Sequence, residues 1–158
     1  MPAIAPKIDP SEPFTEQELA AWRGLLLLHA QVTQALDAQM RAEHDLSLSV
    51  YEVLMFLGDA DGKRLRMTEI ANRVLLSRSG LTRLVDRLVE LGYVTRCASE
   101  NDKRGLYAEL TAAGAKKLES ARRTHREGVR QFFLDHLSTT DEVVLGDVIS
   151  RFLATARP

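Results

Sequence analysis

The sequence predicts a mainly α-helical fold that contains a single small β-hairpin. Proline is confined to the two ends of the 158-residue chain, so nothing from residue 14 to residue 157 is barred from a helix on that account. Side chains that cap helices precede several apolar stretches, and a charged turn near residue 100 separates two short β-rich stretches. The length is typical of one domain, and a hydrophobic content of 45% is ordinary for a globular protein.

The first predicted helix begins at a capping box, Thr15-x-x-Glu18, and runs to about His44. Its apolar residues cover more than one stripe: Trp22, Leu25, Leu26, Leu27, Leu28, Val32, Leu36 and Met40. A helix with one side in water needs fewer apolar residues. We therefore expect the core of this chain to cover one side of the helix and a partner to cover the other. Residues 1–13, which hold four of the five prolines, are predicted to form a loose N-terminal arm.

The middle of the chain alternates short helices and strands. The predicted elements are a helix from Ser49-x-x-Glu52 to about Gly58, a very short strand within 63–67, a short helix with Thr68 as N-cap, a helix from Ser77 to Gly92, and strands at 93–98 and 106–110. This order is typical of a winged helix-turn-helix lobe, which we place at residues 48–110.

Further helices flank that lobe. Thr111 and the capping box Thr139-x-x-Glu142 are predicted to begin the last two helices. Residues 14–45 and 111–156 carry more apolar positions than one chain needs, which predicts dimerisation helices. The expected fold is therefore mainly α, with a winged helix-turn-helix lobe, flanking dimerisation helices and a small β-hairpin wing, in one domain over 14–158.

The charge is distributed unevenly along the chain. The formal net charge is −1, but ten basic and six acidic residues lie between Lys63 and Leu110, a local charge of +4 against −5 for the remainder. A basic middle between acidic flanks indicates a surface for a polyanion.

The helix after Ser77 has two faces of different chemistry. Its apolar residues share one face at i, i+3, i+4 and i+7 spacing: Leu81, Leu84, Val85 and Leu88. The N-terminal part of the other face carries four hydrogen-bond donors: Arg78, Ser79, Thr82 and Arg83. Base edges are read from this part of a helix-turn-helix, and Arg87 lies further along, where phosphate is expected. The other interpretation is the solvated face of a packing helix.

The predicted hairpin has a basic tip. Asn, Asp and Gly residues build the turn, and Lys103 and Arg104 stand at its end. A thin basic hairpin fits a narrow minor groove, where negative potential is concentrated. An ordinary charged turn is the alternative interpretation.

Two motifs resemble a known family. The stretch LTRLVDRL at residues 81–88, followed by Gly92-Tyr93-Val94-x-Arg96, is similar to the recognition helix and first wing strand of MarR transcriptional regulators. The sequence NDKRG at 101–105, followed by Leu110-Thr111 and Gly114, is similar to their wing signature. The resemblance covers about 46–114. It implies an obligate homodimer on a pseudopalindromic operator, with Asp102 bracing the wing and Arg104 reaching the minor groove.

The function predicted is a sequence-specific regulator of transcription that binds double-stranded DNA, a repressor released by a small ligand. The residues predicted to contact DNA are Thr68, Ser77, Arg78, Ser79, Thr82, Arg83, Arg87, Arg96, Lys103 and Arg104. Relatives bind anionic aromatic molecules in a cleft beside the first helix, which Trp22, Arg23, His29, Tyr51 and Phe56 are predicted to line here. Aromatic core packing is the alternative for these side chains.

Other kinds of site have little support in the sequence. The four histidines form no metal-binding motif, no nucleophile elbow occurs, and Gly58-x-x-x-Gly62-Lys63 is one residue short of a phosphate loop. We therefore predict no metal, no cofactor and no enzymatic activity. The single cysteine, Cys97, excludes an intrachain disulfide and favours a reducing, cytoplasmic compartment. Two alternative functions remain: a helical protein–protein interaction module, and a redox sensor whose Cys97 thiol is activated by Arg96.

Overall fold

The computed structural model of the chain describes residues 11–74, 77–98 and 106–155, and it confirms the mainly helical fold. The helices are α1 Glu16–His44, α2 Leu48–Asp59, α3 Met67–Arg73, α4 Arg78–Glu90, α5 Ala112–Phe132 and α6 Thr139–Thr155. The strands are β1 Arg64–Arg66, β2 Val94–Ala98 and β3 Leu106–Leu110, with β3 central and antiparallel to both neighbours. Residues 1–10 of the predicted arm lie outside the described part.

Three of the predicted helix starts are confirmed by their hydrogen bonds. The Thr15 hydroxyl accepts from the Glu18 N–H, and the Glu18 carboxylate accepts from the Thr15 N–H, at 3.2 and 2.8 Å. The Ser77 hydroxyl caps α4 through the Gly80 N–H at 3.1 Å, and Thr111 caps α5. Each satisfies a backbone donor that the first helical turn leaves without a partner.

Three other predicted starts are wrong by one or two residues. Helix α2 is capped by Ser47, whose hydroxyl accepts from Val50 N–H, so Ser49 and Glu52 lie inside the helix. Helix α3 begins at Met67 and not after Thr68, since the Glu69 carboxylate accepts from the Arg66 N–H at 2.8 Å. In α6 the reciprocal pair is Ser138 with Asp141, one residue before the predicted box. For α2 and α6 a serine slightly earlier in the sequence caps the helix, whereas α3 begins earlier because the Glu69 carboxylate reaches back to the Arg66 N–H.

Helix α2 is the centre of the winged helix-turn-helix core. It contacts α1, α5, β1 and β3, and five of its residues are buried: Leu48, Tyr51, Val53, Leu54 and Leu57. The side chains that complete this core include Ile70, Leu81, Val85, Leu88, Val94 and Ala108. A helix that is covered on most sides fixes the positions of the elements around it, so α3, α4 and the sheet are held in one arrangement.

Helix α5 begins against the first wing strand. The Thr111 N–H donates to the Tyr93 carbonyl at 3.0 Å, and the Thr111 hydroxyl donates to the Gly92 carbonyl at 2.7 Å. Gly114 completes the contact: a Cβ atom built on it would lie 2.1 Å from the Tyr93 carbonyl oxygen. Only glycine lets the helix and the strand approach this closely.

Gly114→Ala is therefore expected to lower the free energy of unfolding by at least about 2 kcal/mol, because the clash is with backbone atoms that cannot rotate away. Urea denaturation followed by circular dichroism measures this loss. Ala113→Ser, at the exposed neighbouring position, is the control and should change stability by less than about 0.5 kcal/mol. Equal stability of the Gly114 variant and the parent would contradict the close approach.

A large apolar surface on α1 and α6 is left exposed by the residues that the structure describes. The N-terminal half of α1 exposes Trp22, Leu25, Leu26, Leu27 and Leu28, each at 41–62% of its full surface. Helix α6 has no buried residue, and its exposed apolar side chains are Val143, Val144, Ile149, Phe152 and Leu153. We call these two sets the uncovered face. The expected cover by the chain's own core is present for Leu36 and Met40 but not for residues 22–28, which are exposed in the described part of the chain, and cover by a partner stays a prediction.

Candidate nucleic-acid interface

Helix α4 has the two faces that its sequence predicts. Leu81, Val85 and Leu88 are at most 1% exposed, and Leu84 is half-buried. Ser79, Thr82, Arg83, Arg87 and Glu90 are exposed on the other side. Burial of the apolar stripe therefore holds the polar stripe outward, in a fixed orientation relative to the core.

Two arginines of the exposed stripe differ in their partners. Arg83 has no ion-pair or hydrogen-bond partner among the described residues, so its guanidinium keeps all its donors for a ligand. Arg87 Nη1 lies 3.2 Å from Glu90 Oε2, with both side chains about two-thirds exposed. Such a surface pair contributes little to stability and is easily replaced by a phosphate. The Ser79 hydroxyl lies 3.3 Å from that of Ser77, close to the start of the helix.

Arg96 contacts α4 within the chain. From β2 its Nη1 lies 2.6 Å from the Asp86 carboxylate of α4, and its Nη2 donates to the Thr82 carbonyl at 3.5 Å. Two contacts from one guanidinium tie the first wing strand to the middle of α4. These contacts position β2 against α4, and the predicted DNA contact of Arg96 stays a prediction.

Arg96→Ala and Asp86→Ala are therefore expected to weaken binding to a preferred duplex by similar factors, and the double variant should lose little more than either one. Non-additivity of this kind is the mark of a shared contact. Binding isotherms of the two single variants and the double variant measure it. If Arg96 instead bound phosphate, the loss of affinity in Arg96→Ala would add to the loss in Asp86→Ala. Arg96→Ala would then also make the slope of log K against log salt shallower by about one.

The remaining predicted contacts are distributed between described and undescribed parts of the chain. Thr68 is exposed in the first turn of α3, and Ser77 is exposed while its hydroxyl caps α4. Asp102, Lys103, Arg104 and the side chain of Arg78 lie outside the described part, so their predicted roles stay predictions.

The outer face of the sheet holds basic residues that the sequence analysis missed. Arg64 and Arg66 stand two residues apart on β1, and their guanidinium carbons lie 5.7 and 5.5 Å from the centre of the Tyr107 ring. Arg66 Nε also donates to the Tyr107 hydroxyl at 2.8 Å. The Arg-x-Arg alternation in a three-residue strand is the signal that would have found this face, since alternate residues of a strand point the same way.

The five residues predicted to line a ligand cleft do not meet within one chain. Trp22 borders a hollow with Phe14, Glu18 and Leu19, whereas His29 lies beside Leu28, Val32 and Phe133, and Arg23 is exposed. Tyr51 is buried against His125, and Arg73 lies over the Phe56 ring at 5.7 Å. Trp22 belongs to the uncovered face and His29 lies beside it, and the predicted cleft stays a prediction.

The contact of Tyr51 with His125 joins α2 to α5. The two rings stack with their centroids 4.5 Å apart, and His125 is half-buried. Burial disfavours the charged imidazole and lowers the pKa of His125 below its ordinary value of 6.5.

Stability should therefore fall as the pH drops. The unfolded chain takes up a proton on this histidine near pH 6.5, whereas the folded chain resists it until a lower pH. The stabilisation is present above pH 6.5 and is lost as the pH falls through the folded pKa. His125→Phe, which keeps a ring against Tyr51, should reduce the fall in Tm between about pH 7.5 and about pH 5.5. His136→Gln, at an exposed site, should leave that fall unchanged.

Cys97 lacks the environment of a reactive thiol. Partial burial, the nearby Glu109 carboxylate and a hydrogen bond to it all raise the pKa of Cys97 above its usual 9.0, although Arg64 opposes them. Arg96, predicted to activate the thiol, instead contacts Asp86. The thiol is therefore protonated at neutral pH, which argues against the redox-sensor alternative.

The described part of the chain shows neither a metal-binding cluster nor a membrane-spanning helix. Within residues 11–74, 77–98 and 106–155, no group of three or more His, Cys, Asp or Glu side chains is arranged to hold a metal ion. None of the helices in these same ranges combines the length and apolar character that a bilayer span requires.

Comparison with known proteins agrees with this geometry. The model of the MarR family matches residues 44–105, which include α2, α3, α4 and the start of the wing. The HTH-type transcriptional repressor YetL of Bacillus subtilis is 33% identical over 113 residues, which are 70% of this chain and 68% of YetL. The chain belongs to the MarR family of transcriptional regulators.

Solved MarR-family structures extend the similarity to almost the whole chain. Sco3205 of Streptomyces coelicolor, solved in complex with DNA, has a TM-score of 0.86 and 30% identity, covering 93% of this chain and 92% of that one. AbsC of the same organism has a TM-score of 0.84 and 28% identity, over 91% of this chain and 97% of that one. The relatives are transcriptional regulators and not enzymes, which confirms the predicted fold, family and non-enzymatic function.

Proposed function

We propose that this MarR-family regulator binds a pseudopalindromic operator in double-stranded DNA as a homodimer and represses transcription. The observation that carries the proposal is the exposed stripe of α4, where Ser79 and Arg83 stand in the N-terminal half and Arg83 has no partner among the described residues. A helix presented in this way fits the major groove, with donors towards base edges. The complex of Sco3205 with DNA supports the same use of the fold.

Dimerisation is supported by the uncovered face. Trp22 and Leu27 on α1, and Phe152 and Leu153 on α6, are each more than half exposed. Apolar side chains exposed to this extent over two helices are typical of an obligate interface, which commonly buries more than about 2,000 Å². We assign residues 14–45 and 111–156 to this interface and 48–110 to the DNA-binding lobe.

The wing is proposed to contact the minor groove beside each half-site. Strands β2 and β3 lead to its tip, and Arg96 fixes β2 to α4, so the tip has a defined base. Arg104 and Lys103 would read groove width and potential there, and Asp102 would brace the turn. Arg104→Ala should then lose the preference for A·T at the flanks of each half-site.

Release from DNA is proposed to follow binding of a small anionic or aromatic ligand. The support is the position of Trp22 and His29 beside the uncovered face, where a second chain would complete a cleft lined by aromatic side chains. Closing or opening such a cleft would change the separation of the two α4 helices, and the affinity for a two-part operator depends on that separation.

The proposal is tested by selecting bound duplexes from a random pool at fixed salt. We expect enrichment of an inverted repeat whose half-sites lie about 10 bp apart or a multiple of it, so that the α4 helices are about 34 Å apart. A single unrepeated site would contradict the homodimer. No enrichment at all would contradict sequence-specific binding and favour the protein–protein interaction module.

A further inference from the structure

A small apolar hollow lies in the otherwise polar surface that α3 and α4 share. Its volume is about 150 Å3, and its lining residues are Met67, Thr68, Ala71, Leu81 and Thr82. Leu81 forms the floor at 1% exposure, Met67 and Ala71 are half-buried walls, and the two threonines are exposed at the rim. We call this feature the α3–α4 hollow.

The hollow is continuous with the proposed DNA-binding stripe. Thr82 is a member of both, and Ser79 and Arg83 lie within one helical turn of it. Its position is held from the opposite side, because Arg96 of the wing donates to the Thr82 carbonyl and pairs with Asp86. A ligand that α4 meets in the major groove would therefore meet the hollow as well.

Among the groups that base pairs present in the major groove, one is apolar. This is the C5-methyl of thymine, and alanine side chains and threonine methyls are its usual protein contacts. The α3–α4 hollow offers both, from Ala71 and Thr82, and Met67 is a flexible side chain that adapts to an irregular shape. None of the described side chains that line the hollow is charged, so these residues offer no ion pair to a phosphate and no charged acceptor to a base amine.

We propose that the α3–α4 hollow receives the C5-methyl group of one thymine in each operator half-site. The inference rests on the proposed function and adds a specificity element to it. Arg83 and Ser79 supply hydrogen bonds, while the hollow distinguishes thymine from cytosine and from uracil by burial of a methyl group.

The test is a thymine-to-uracil scan of the selected operator, which removes one methyl at a time and leaves base pairing unchanged. Burial of one such group corresponds to about fourfold in affinity. We expect wild-type protein to lose about fourfold at one thymine position per half-site. Thymines elsewhere in the duplex serve as internal controls, and replacing them by uracil should leave the affinity nearly unchanged.

Two variants tie that effect to the hollow. Ala71→Leu fills the hollow, and Thr82→Ser removes a methyl from its rim while keeping the hydroxyl. In both variants the ratio of the affinities for the thymine and uracil duplexes should move towards one. Thr95→Ser on β2, outside the hollow, is the matched control and should keep the fourfold ratio. Circular dichroism and binding to random duplex confirm that each variant folds and still binds DNA.

Several results would overturn the proposal. They are a half-site with no invariant thymine, a wild-type protein insensitive to uracil at every position, and an unchanged ratio in both hollow variants. In each of these cases the operator is still bound, so the proposed function stands without this subsite. If no operator is selected, the proposed function fails and the subsite fails with it.

Discussion

Arg83→Ala is expected to weaken binding to the selected operator by about 1–3 kcal/mol, roughly 5- to 150-fold. It should also lower the ratio of the affinities for operator and random duplex. Arg83 lies in the N-terminal half of α4, exposed and without a partner among the described residues. Since no group in the described part of the protein pairs with its guanidinium, removing it should lower the affinity for DNA and leave the stability of the free protein unchanged. Titration of labelled operator and random duplexes at one salt concentration measures both affinities.

Arg87→Ala is the matched control, four residues along the same stripe. Its pair with Glu90 is exposed at 3.2 Å, and we expect it to meet phosphate. It should weaken operator and random duplex by similar factors and lower the salt slope by about one. If Arg83→Ala also weakens both duplexes equally, Arg83 does not read a base and the assignment of the stripe is wrong.

The second large effect concerns the uncovered face. Phe152→Glu, at a residue 70% exposed on α6, should convert the dimer into monomer or unfolded chain at micromolar concentration, because a charge cannot be buried without a partner in an apolar interface. Operator affinity should fall by at least about 100-fold, since the second half-site no longer adds its contacts. Sedimentation and operator titration measure the two effects.

Ala38→Glu is the control for added charge on an exposed helical position. Ala38 lies in the C-terminal half of α1, outside the uncovered face that is proposed to make the dimer contacts, and on the side of the helix opposite Leu36 and Met40. It should leave the dimer and the operator affinity unchanged. A Phe152→Glu protein that sediments as a dimer with wild-type affinity would show that α6 lies outside the interface.

The features that were predictable from sequence are those that depend on local periodicity. The i, i+3, i+4, i+7 spacing of Leu81, Leu84, Val85 and Leu88 predicted both faces of α4, and in the structure Leu81, Val85 and Leu88 are buried and Leu84 is half-buried. The bounds of β3 and the cap at Thr111 also follow from residue type alone. The excess of apolar residues on α1 predicted a surface without internal cover for the same reason.

The features that were not predictable depend on contacts between distant residues or on competition between neighbours. Ser47 and Ser49 are both good caps, and only the backbone path after Asp45 selects Ser47. Arg96 could be assigned to DNA by charge, but its partner Asp86 lies ten residues earlier on another element. The stacking of Arg64 and Arg66 on Tyr107 requires the pairing of β1 with β3, which joins residues about forty positions apart.

The salt dependence of binding to random duplex tests most directly whether this chain is a DNA-binding regulator. Each phosphate that a basic side chain neutralises contributes about −0.9 to the slope of log K against log salt. We expect a steep negative slope between about 50 and about 200 mM salt, and a slope that is shallower by about one for Arg87→Ala. Binding that is absent, or that shows no slope over this range, would contradict a DNA-binding function.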